Sequence, residues 1–397
     1  MRRLLFMLVA VLVGAGLGDG YIGRLPRHEG YFLVPVHDEV RAPRAQRPRH
    51  TVFILVDGLR RDAAETMAVT RALLPAGQCR VSDQGSWTVS RPVYALLSTG
   101  LEVDRTGSRN NEQTAPLAAE SIWQVARHSG LRVSGSSHLP WFGQLFPDGF
   151  DRYVTAETHG ENVFDGPELL DVNVFHPRYV DEAGHLHGAA SAEYAAGVAR
   201  ADREIAPLLA KLDLAEDLVV FTADHGHRAQ GGHGGAQPEI KDVLLCFAGK
   251  GVARRTDRAP FDGRDTAPAL ALLLGVPFPR HMRAGDDRLD AIFEVASFDE
   301  GDSAYVADRH AAIDHFRDEN RKALERWLAD EPGTWPRLYQ REAGAQHVRI
   351  VLVGIVALVF VALRLANARR RQARALVSAA WLTFSLLVVW ALHHAIL

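Results

Sequence analysis

Side chains able to hold a cation gather in four short glycine-rich stretches of this 397-residue chain. They are Val56-Asp57-Gly58, Asp181-Glu182-Ala183-Gly184-His185, Thr222-Ala223-Asp224-His225-Gly226 and Gly232-His233-Gly234-Gly235. Carboxylates and imidazoles without thiolates suit Zn²⁺, and less well Mn²⁺ or iron. The glycines beside them let backbone and ligand approach closely. One Asp–His pair is commonplace on a protein surface; four such stretches in one chain are not. A fifth stretch supplies a nucleophile. Ser90-Arg91-Pro92 opens the apolar run Val93-Tyr94-Ala95-Leu96-Leu97, closed by Ser98-Thr99-Gly100. Pro92 suits the first turn of a helix, so Ser90 is expected at the N-cap. Backbone N–H groups there favour a phosphate. A nearby divalent cation lowers the pKa of the hydroxyl and makes an alkoxide available. Plain capping, with no chemistry, is the competing role for Ser90.

The elements that must position these residues read as alternating strands and helices. Residues 51–56 (TVFILV) are a continuous, β-branched apolar run, as expected of a strand buried on both faces. Further strands are expected within 172–180, at 218–222 and at 243–247. Helices are expected at 121–128, ended by Gly130, and at 192–212. The latter carries Tyr194, Val198, Ala201, Ile205, Leu208 and Leu212 on one stripe. Pro207 predicts a kink or break inside it. Asp265 reads as the N-cap of a helix over 266–274, closed by Gly275 and Pro277. This alternation predicts an α/β fold, a mostly parallel central sheet with helices on both faces. Asp57, Asp181 and Asp224 then fall near carboxyl ends of strands, where sites assemble in such sheets.

The chain has 45 basic and 48 acidic side chains, and 47% of it is hydrophobic. That composition excludes a mainly disordered protein and a globally basic nucleic-acid binder, and no nucleic-acid partner is indicated. Two cysteines, Cys79 and Cys246, make no disulfide framework and no zinc-finger spacing. Cys246 reads as a small buried core residue, and a bridge to Cys79 is not expected.

Both ends carry a membrane address. Met1-Arg2-Arg3 precedes an apolar run to Leu17, so residues 1–20 read as a signal peptide or signal anchor. Residues 300–345 read as an amphipathic helical segment. Residues 348–397 read as two transmembrane helices, apolar at 350–363 and 375–392. Arg364, Arg369, Arg370, Arg371 and Arg374 lie between them. A hairpin with a basic connector puts those arginines in the cytoplasm and the large domain, residues 48–290, on the other side of the cell membrane.

In their order along residues 48 to 285, these segments resemble the alkaline phosphatase superfamily. The nearest likeness is to its type I phosphodiesterase/nucleotide pyrophosphatase branch and to the catalytic domains of GPI ethanolamine-phosphate transferases. The likeness rests on Ile54-Leu55-Val56-Asp57-Gly58, on Ser90 to Gly100, and on Asn110-Asn111. It continues through Asp181 to Gly188 (a full DxxGHxxG), Ala223-Asp224-His225-Gly226 and His233-Gly234-Gly235. The resemblance implies two divalent metal ions, zinc by ligand type. Asp181, His185 and His233 would hold one; Asp57, Asp224, His225 and the Ser90 oxygen would hold the other. Asn111 would steady a non-bridging phosphate oxygen, with Asn110 ranked below it. The implied activity is a phosphodiesterase-like phosphoesterase with Ser90 as nucleophile and a phosphoseryl intermediate, acting on a phosphoester that the membrane tether allows to be lipid-linked. The alternatives are a phosphoethanolamine-type transferase acting on lipid and glycan, a sulfatase-like hydrolase and a non-catalytic metal-binding protein. Departures from the superfamily's patterns bear on these. Sulfatases carry Arg at the fifth position of the nucleophile motif, where this chain has Tyr94, and paired aspartates where it has Val56-Asp57. His227 stands where related enzymes often have an apolar residue, and is expected in a loop or in contact with a ligand residue. His138 and His187 read as surface or pocket-wall residues.

Overall fold

The computed structural model describes residues 47–297, apart from 113, 159, 166–167, 256–259 and 283–285, together with Asp314, Asp318 and Lys322. The expected signal segment, the two transmembrane helices and nearly all of the amphipathic segment lie outside the described residues. Within that segment Asp314, Asp318 and Lys322 are helical, and Lys322 pairs with Asp318 at 2.7 Å. No helix among the described residues is long and apolar enough to cross a membrane.

Eight strands form one sheet: β1 (Thr51–Leu55), β2 (Gly77–Asp83), β3 (Val133–Ser137), β4 (Arg152–Thr155), β5 (Val172–His176), β6 (Leu218–Thr222), β7 (Asp242–Gly249) and β8 (Phe261–Asp262). Their order is β4-β3-β5-β1-β6-β7-β2-β8. β1 lies between β5 and β6 and is parallel to both. Every residue of these three strands is buried, as the apolar runs of β1 and β6 lead one to expect; β5 buries Asn173 and His176 as well. The sheet is mixed, because β7 runs antiparallel to both β6 and β2. The connection from β6 to β7, residues 223–241, contains only one four-residue helical turn, Pro238–Lys241. Without a crossover helix the chain returns antiparallel.

Six helices of seven or more residues stand out among the described residues: α1 (Ser90–Thr99), α2 (Ile122–His128), α3 (Tyr179–His187), α4 (Ala192–Leu209), α5 (Thr266–Leu274) and α6 (Asp286–Phe293). Side chains of β1 alternate between two cores. Phe53 and Leu55 join Val93, Tyr94, Trp123 and the α5 leucines on one face. Val52, Ile54 and Val56 meet Tyr179, Tyr194, Val198 and Ile205 on the other. Helices therefore cover both faces. Sequence cues explain their ends. Ser121 and Gln124 form a capping box at α2. Ser191 caps α4 by accepting from Tyr194 N–H at 3.1 Å. Pro207 does not break α4 where the sequence suggests: the helix runs two residues past it, to Leu209.

The cysteines correct another expectation. Cys79 on β2 and Cys246 on β7 face each other in the antiparallel register, with Cα atoms 4.0 Å apart, and form a disulfide. The pairing is invisible in sequence because β2, Gly-Gln-Cys-Arg-Val-Ser-Asp, shows no clean strand pattern. The bridge closes a separation of 167 residues. Replacing both cysteines by alanine should lower unfolding stability by about 2–5 kcal/mol, read by denaturant titration. Without reductant, denatured wild-type chain should take up no thiol-alkylating label.

Candidate active site

The strand ends bring the ligand-bearing segments together. β1 runs into Asp57 and Gly58, and β6 runs into Asp224 and His225. After β5 two residues lead into α3, so Asp181 sits in the first turn of a helix, and not at a strand end as the sequence suggests. Gly58 has φ +72°, and a Cβ there would stand 2.6 Å from Asp181 Cα. Glycine alone lets these two segments touch.

Asp57, Asp224, His225 and Ser90 form the deeper cluster, all essentially buried. Each carboxylate has one oxygen held and one bare. Asp57 Oδ2 accepts from the Tyr94 hydroxyl at 2.6 Å and contacts His176 Nε2 at 3.1 Å. Ser137 Oγ, which accepts from Leu139 N–H at 3.0 Å, meets His176 Nδ1 at 2.7 Å. A carboxylate oxygen only accepts, so the contact with Asp57 places the ring proton on Nε2. Asp224 Oδ1 accepts from the backbone N–H of Gly58 at 3.0 Å and of His225 at 2.9 Å. Asp57 Oδ1 and Asp224 Oδ2 are buried without any hydrogen bond. Both face His225 Nε2, at 3.6 and 3.2 Å, and Ser90 Oγ lies 3.3 Å from the same nitrogen. His225 Nδ1 donates to Gly226 O at 3.1 Å, so Nε2 presents a lone pair. Two bare carboxylate oxygens converge on an imidazole lone pair and a hydroxyl, whose only hydrogen bond there is to each other. A divalent cation fits that donor set.

Ser90 differs from its expected place by one residue. Val89 is the N-cap of α1, and Ser90 is the first helical residue. Its hydroxyl is thus not consumed in capping and lies against His225.

The second cluster is Asp181, His185 and His233. His233 Nε2 is 3.0 Å from His185 Nε2, and the two nitrogens are 3.7 and 3.4 Å from Asp181 Oδ1. Donors bound tetrahedrally to zinc stand about 3.3 Å apart, so this spacing also fits a cation. His233 Nδ1 donates to Thr88 O at 2.8 Å, which frees Nε2. The His185 side chain is 47% exposed and opens the cluster to solvent. The His225 and His233 rings stack at 3.7 Å, so the two clusters adjoin.

Electrostatics follow from burial. Burial pushes the Asp57 carboxyl up, but the His176 and Tyr94 bonds outweigh it and hold the group well below the usual range. Burial and the Asp57 charge push Asp224 well above its usual range. Burial lowers His225 well below the ordinary imidazole value, aided by His233, and burial lowers His233 as well. Both imidazoles are neutral at physiological pH, as metal ligands must be.

Asn111 Oδ1 accepts from Arg91 N–H at 3.0 Å, which brings its carboxamide beside the nucleophile. Asn110 Oδ1 instead accepts from Glu112 N–H at 3.1 Å, within its own loop. Arg91 lies over the Trp141 ring, 4.6 Å from its centre, and donates to Gln144 at 2.7 Å. His138 is buried away from both clusters and accepts from Arg178 N–H at 3.1 Å. His187 is exposed. His227 is wholly buried, with Nε2 2.9 Å from Asp181 Oδ1. Sequence reading missed Ser137, His176 and Tyr94 as supports of Asp57. Only Tyr94 left a signal, lying one helical turn from Ser90 on the same face.

Comparison with known proteins bears out the likeness seen in the motifs. Residues 98–231 match the family described as type I phosphodiesterase/nucleotide pyrophosphatase. GPI ethanolamine phosphate transferase 1 of Neurospora crassa is 24% identical over 384 residues, covering 74% of this chain and 38% of that protein. The catalytic subunit of human GPI ethanolamine phosphate transferase 3 is 33% identical over 113 residues, 28% of this chain and 10% of that one. The chain thus spans well under half the length of the curated relatives it matches. In fold it is similar to murine ectonucleotide pyrophosphatase/phosphodiesterase 5, with a TM-score of 0.51 at 12% identity over 62% of this chain and all of the other. It is also similar to a variant of the alkaline phosphatase PafA, with a TM-score of 0.50 at 11% identity over 64% of this chain and all of the other. The likenesses support an enzyme of phosphoester chemistry, a hydrolase or a transferase.

Two outcomes are expected. A carboxyl with a raised native pKa costs stability as pH rises through that pKa. Asp224→Asn should therefore raise the melting temperature of chelator-treated protein at neutral pH, while abolishing stabilisation by added Zn²⁺; differential scanning calorimetry reads both. Tyr94→Phe should weaken Zn²⁺ binding by about 10–100-fold in a chelator-competition titration, because Asp57 loses an anchor.

Proposed function

We propose that this chain is a membrane-anchored, extracytoplasmic phosphoesterase of phosphodiesterase type that works through Ser90. The observation that carries the reading is the pair of bare, buried oxygens, Asp57 Oδ1 and Asp224 Oδ2, grouped around His225 beside the Ser90 hydroxyl. Asp57, Asp224, His225 and Ser90 would hold one divalent cation, and Asp181, His185 and His233 the other. When bound, these ions supply charge neutralisation for a phosphate and a lowered pKa for a coordinated hydroxyl.

The chain's own residues do the rest. Ser90 Oγ forms a bond to phosphorus as the bond to the leaving alcohol breaks, giving a phosphoseryl intermediate. The proton lost from Ser90 is matched by one gained on the leaving oxygen. Asn111, its Oδ1 engaged by Arg91 N–H, has Nδ2 to donate to a non-bridging oxygen. Water or an acceptor hydroxyl then attacks from the vacated side and releases Ser90. Most of the acceleration is positioning and charge complementarity.

The relatives favour a second reading: transfer of a phosphoethanolamine-like group from a lipid to a glycan through the same intermediate. Hydrolysis and transfer differ only in the acceptor held at the mouth beside His185. Sulfate-ester cleavage is disfavoured, since the Tyr94 hydroxyl, where sulfatases carry Arg, is committed to Asp57. A purely metal-storing role is disfavoured by the uncapped, converging Ser90 hydroxyl. The Cys79–Cys246 disulfide suits an oxidising compartment, in keeping with an extracytoplasmic domain.

Ser90→Ala should cut hydrolysis of bis(p-nitrophenyl) phosphate in the presence of Zn²⁺ by roughly 10³-fold or more. Equal rates in variant and wild type would remove Ser90 as nucleophile. Purified membranes given head-group-labelled phosphatidylethanolamine should release free label if the chain is a hydrolase, and should label an acceptor glycan if it is a transferase.

A further inference from the structure

We propose that His227 is a positioning residue: its Nε2–H clamps Asp181, so that Asp181, His185 and His233 hold a cation with one coordination position left for a phosphate oxygen. Distance alone does not separate holder from ligand. Donor atoms of Asp181, His185, His227 and His233 all lie within 4.8 Å of one another. The far nitrogen of each ring separates them. His225 and His233 rest Nδ1 on the carbonyls of Gly226 and Thr88, at 3.1 and 2.8 Å, and so turn a lone pair toward the site. That rear hydrogen bond is the usual mark of a ligating histidine. His227 Nδ1 is buried and meets no hydrogen-bond partner among the described residues. Were Nε2 a ligand, the ring proton would sit on Nδ1 as a buried donor without an acceptor, which proteins avoid. With the proton on Nε2, the same ring donates to Asp181 Oδ1 at 2.9 Å.

The surroundings are shaped to keep the ring there. Gly184 lies under it: a Cβ at that position would stand 2.5 Å from His227 Cδ2, so a helical glycine opens the seat. Arg60 Nη1 donates to the His227 carbonyl at 3.1 Å and fixes the backbone. Arg178 Nε stands 3.8 Å from the other oxygen of Asp181. Asp181 is thereby gripped from both sides while Oδ1 still faces His185 and His233. Three protein ligands with one position open is the arrangement of a catalytic zinc, whereas four would close it.

The inference rests on the two-cation reading, and its test separates the two. Full-length protein is stripped, then titrated with Zn²⁺ against a chromophoric chelator, and loaded in parallel with Co²⁺ for visible absorption. Fewer than two equivalents bound by wild type would sink the two-cation reading itself. Given two, His227→Leu should weaken one equivalent by about 10–100-fold. His227→Gln, which sets an amide N–H near the Nε2 position, should restore most of that affinity with an unchanged Co²⁺ spectrum. Gly184→Ala, with His227 kept but pushed from its seat, should reproduce the loss even if His227→Leu fails to fold. A His227→Gln variant as weak as His227→Leu, with an altered Co²⁺ spectrum, would make His227 a ligand and overturn the proposal. So would wild-type affinity in His227→Leu or in Gly184→Ala.

Discussion

Two carboxylates are forced together in the dry centre of this protein, and the rest of the site follows from that repulsion. Asp57 and Asp224 each surrender one oxygen to fixed donors and turn the other, bare and buried, toward the same imidazole. Like charges in such surroundings cannot both ionise without a counter-charge, and the titrations split accordingly: Asp57 is held down and Asp224 is pushed up. On the proposed reading a divalent cation would resolve the conflict, and the same cation would make the neighbouring Ser90 hydroxyl useful. Stability has been set aside locally in favour of chemistry.

The sheet creates this juxtaposition. β1 lies between β5 and β6, and all three end at the same edge, so their following segments meet there. Gly58 permits the close approach of the first segment to the second. α1, buried on every side, fixes Ser90 and, one turn on, Tyr94, so nucleophile and Asp57 anchor are set by one rigid element. The chain from Ser137 through His176 to Asp57 ties the site to the ends of β3 and β5. Positioning is thus delegated to elements whose packing is independent of substrate.

Much of this was legible in the residues. Unbroken apolar runs revealed β1, β6 and most of β7, and an apolar stripe revealed α4; Asp265 does stand at the N-cap of α5, though its side chain makes no capping bond. Six of the seven candidate ligands stand out by residue type within glycine-bearing stretches, Ser90 by its place before a helix, and the structure gathers them into two adjoining clusters. Legibility failed where the signal is tertiary. β2 and β3 are rich in Gly, Ser and other polar residues and are strands only because neighbours pair with them, so the cross-strand disulfide went unseen. His176 and Ser137 belong to no motif, since they act on Asp57 from other strands. The sense of β7 depends on a connection that carries no crossover helix of more than four residues, which no periodicity encodes. His227 was visible as an oddity, yet its proposed role rests on the one partner of Nε2 and on the lack of any for Nδ1 among the described residues.

Anomalous X-ray diffraction at the zinc edge, on crystals of the purified chain, tests the central claim most directly. The account predicts two peaks: one against Asp57 Oδ1, Asp224 Oδ2, His225 Nε2 and Ser90 Oγ, and one against Asp181, His185 and His233. A fully zinc-soaked crystal with no peak between Asp57 and Asp224, and the two carboxylates sharing a proton instead, would contradict it.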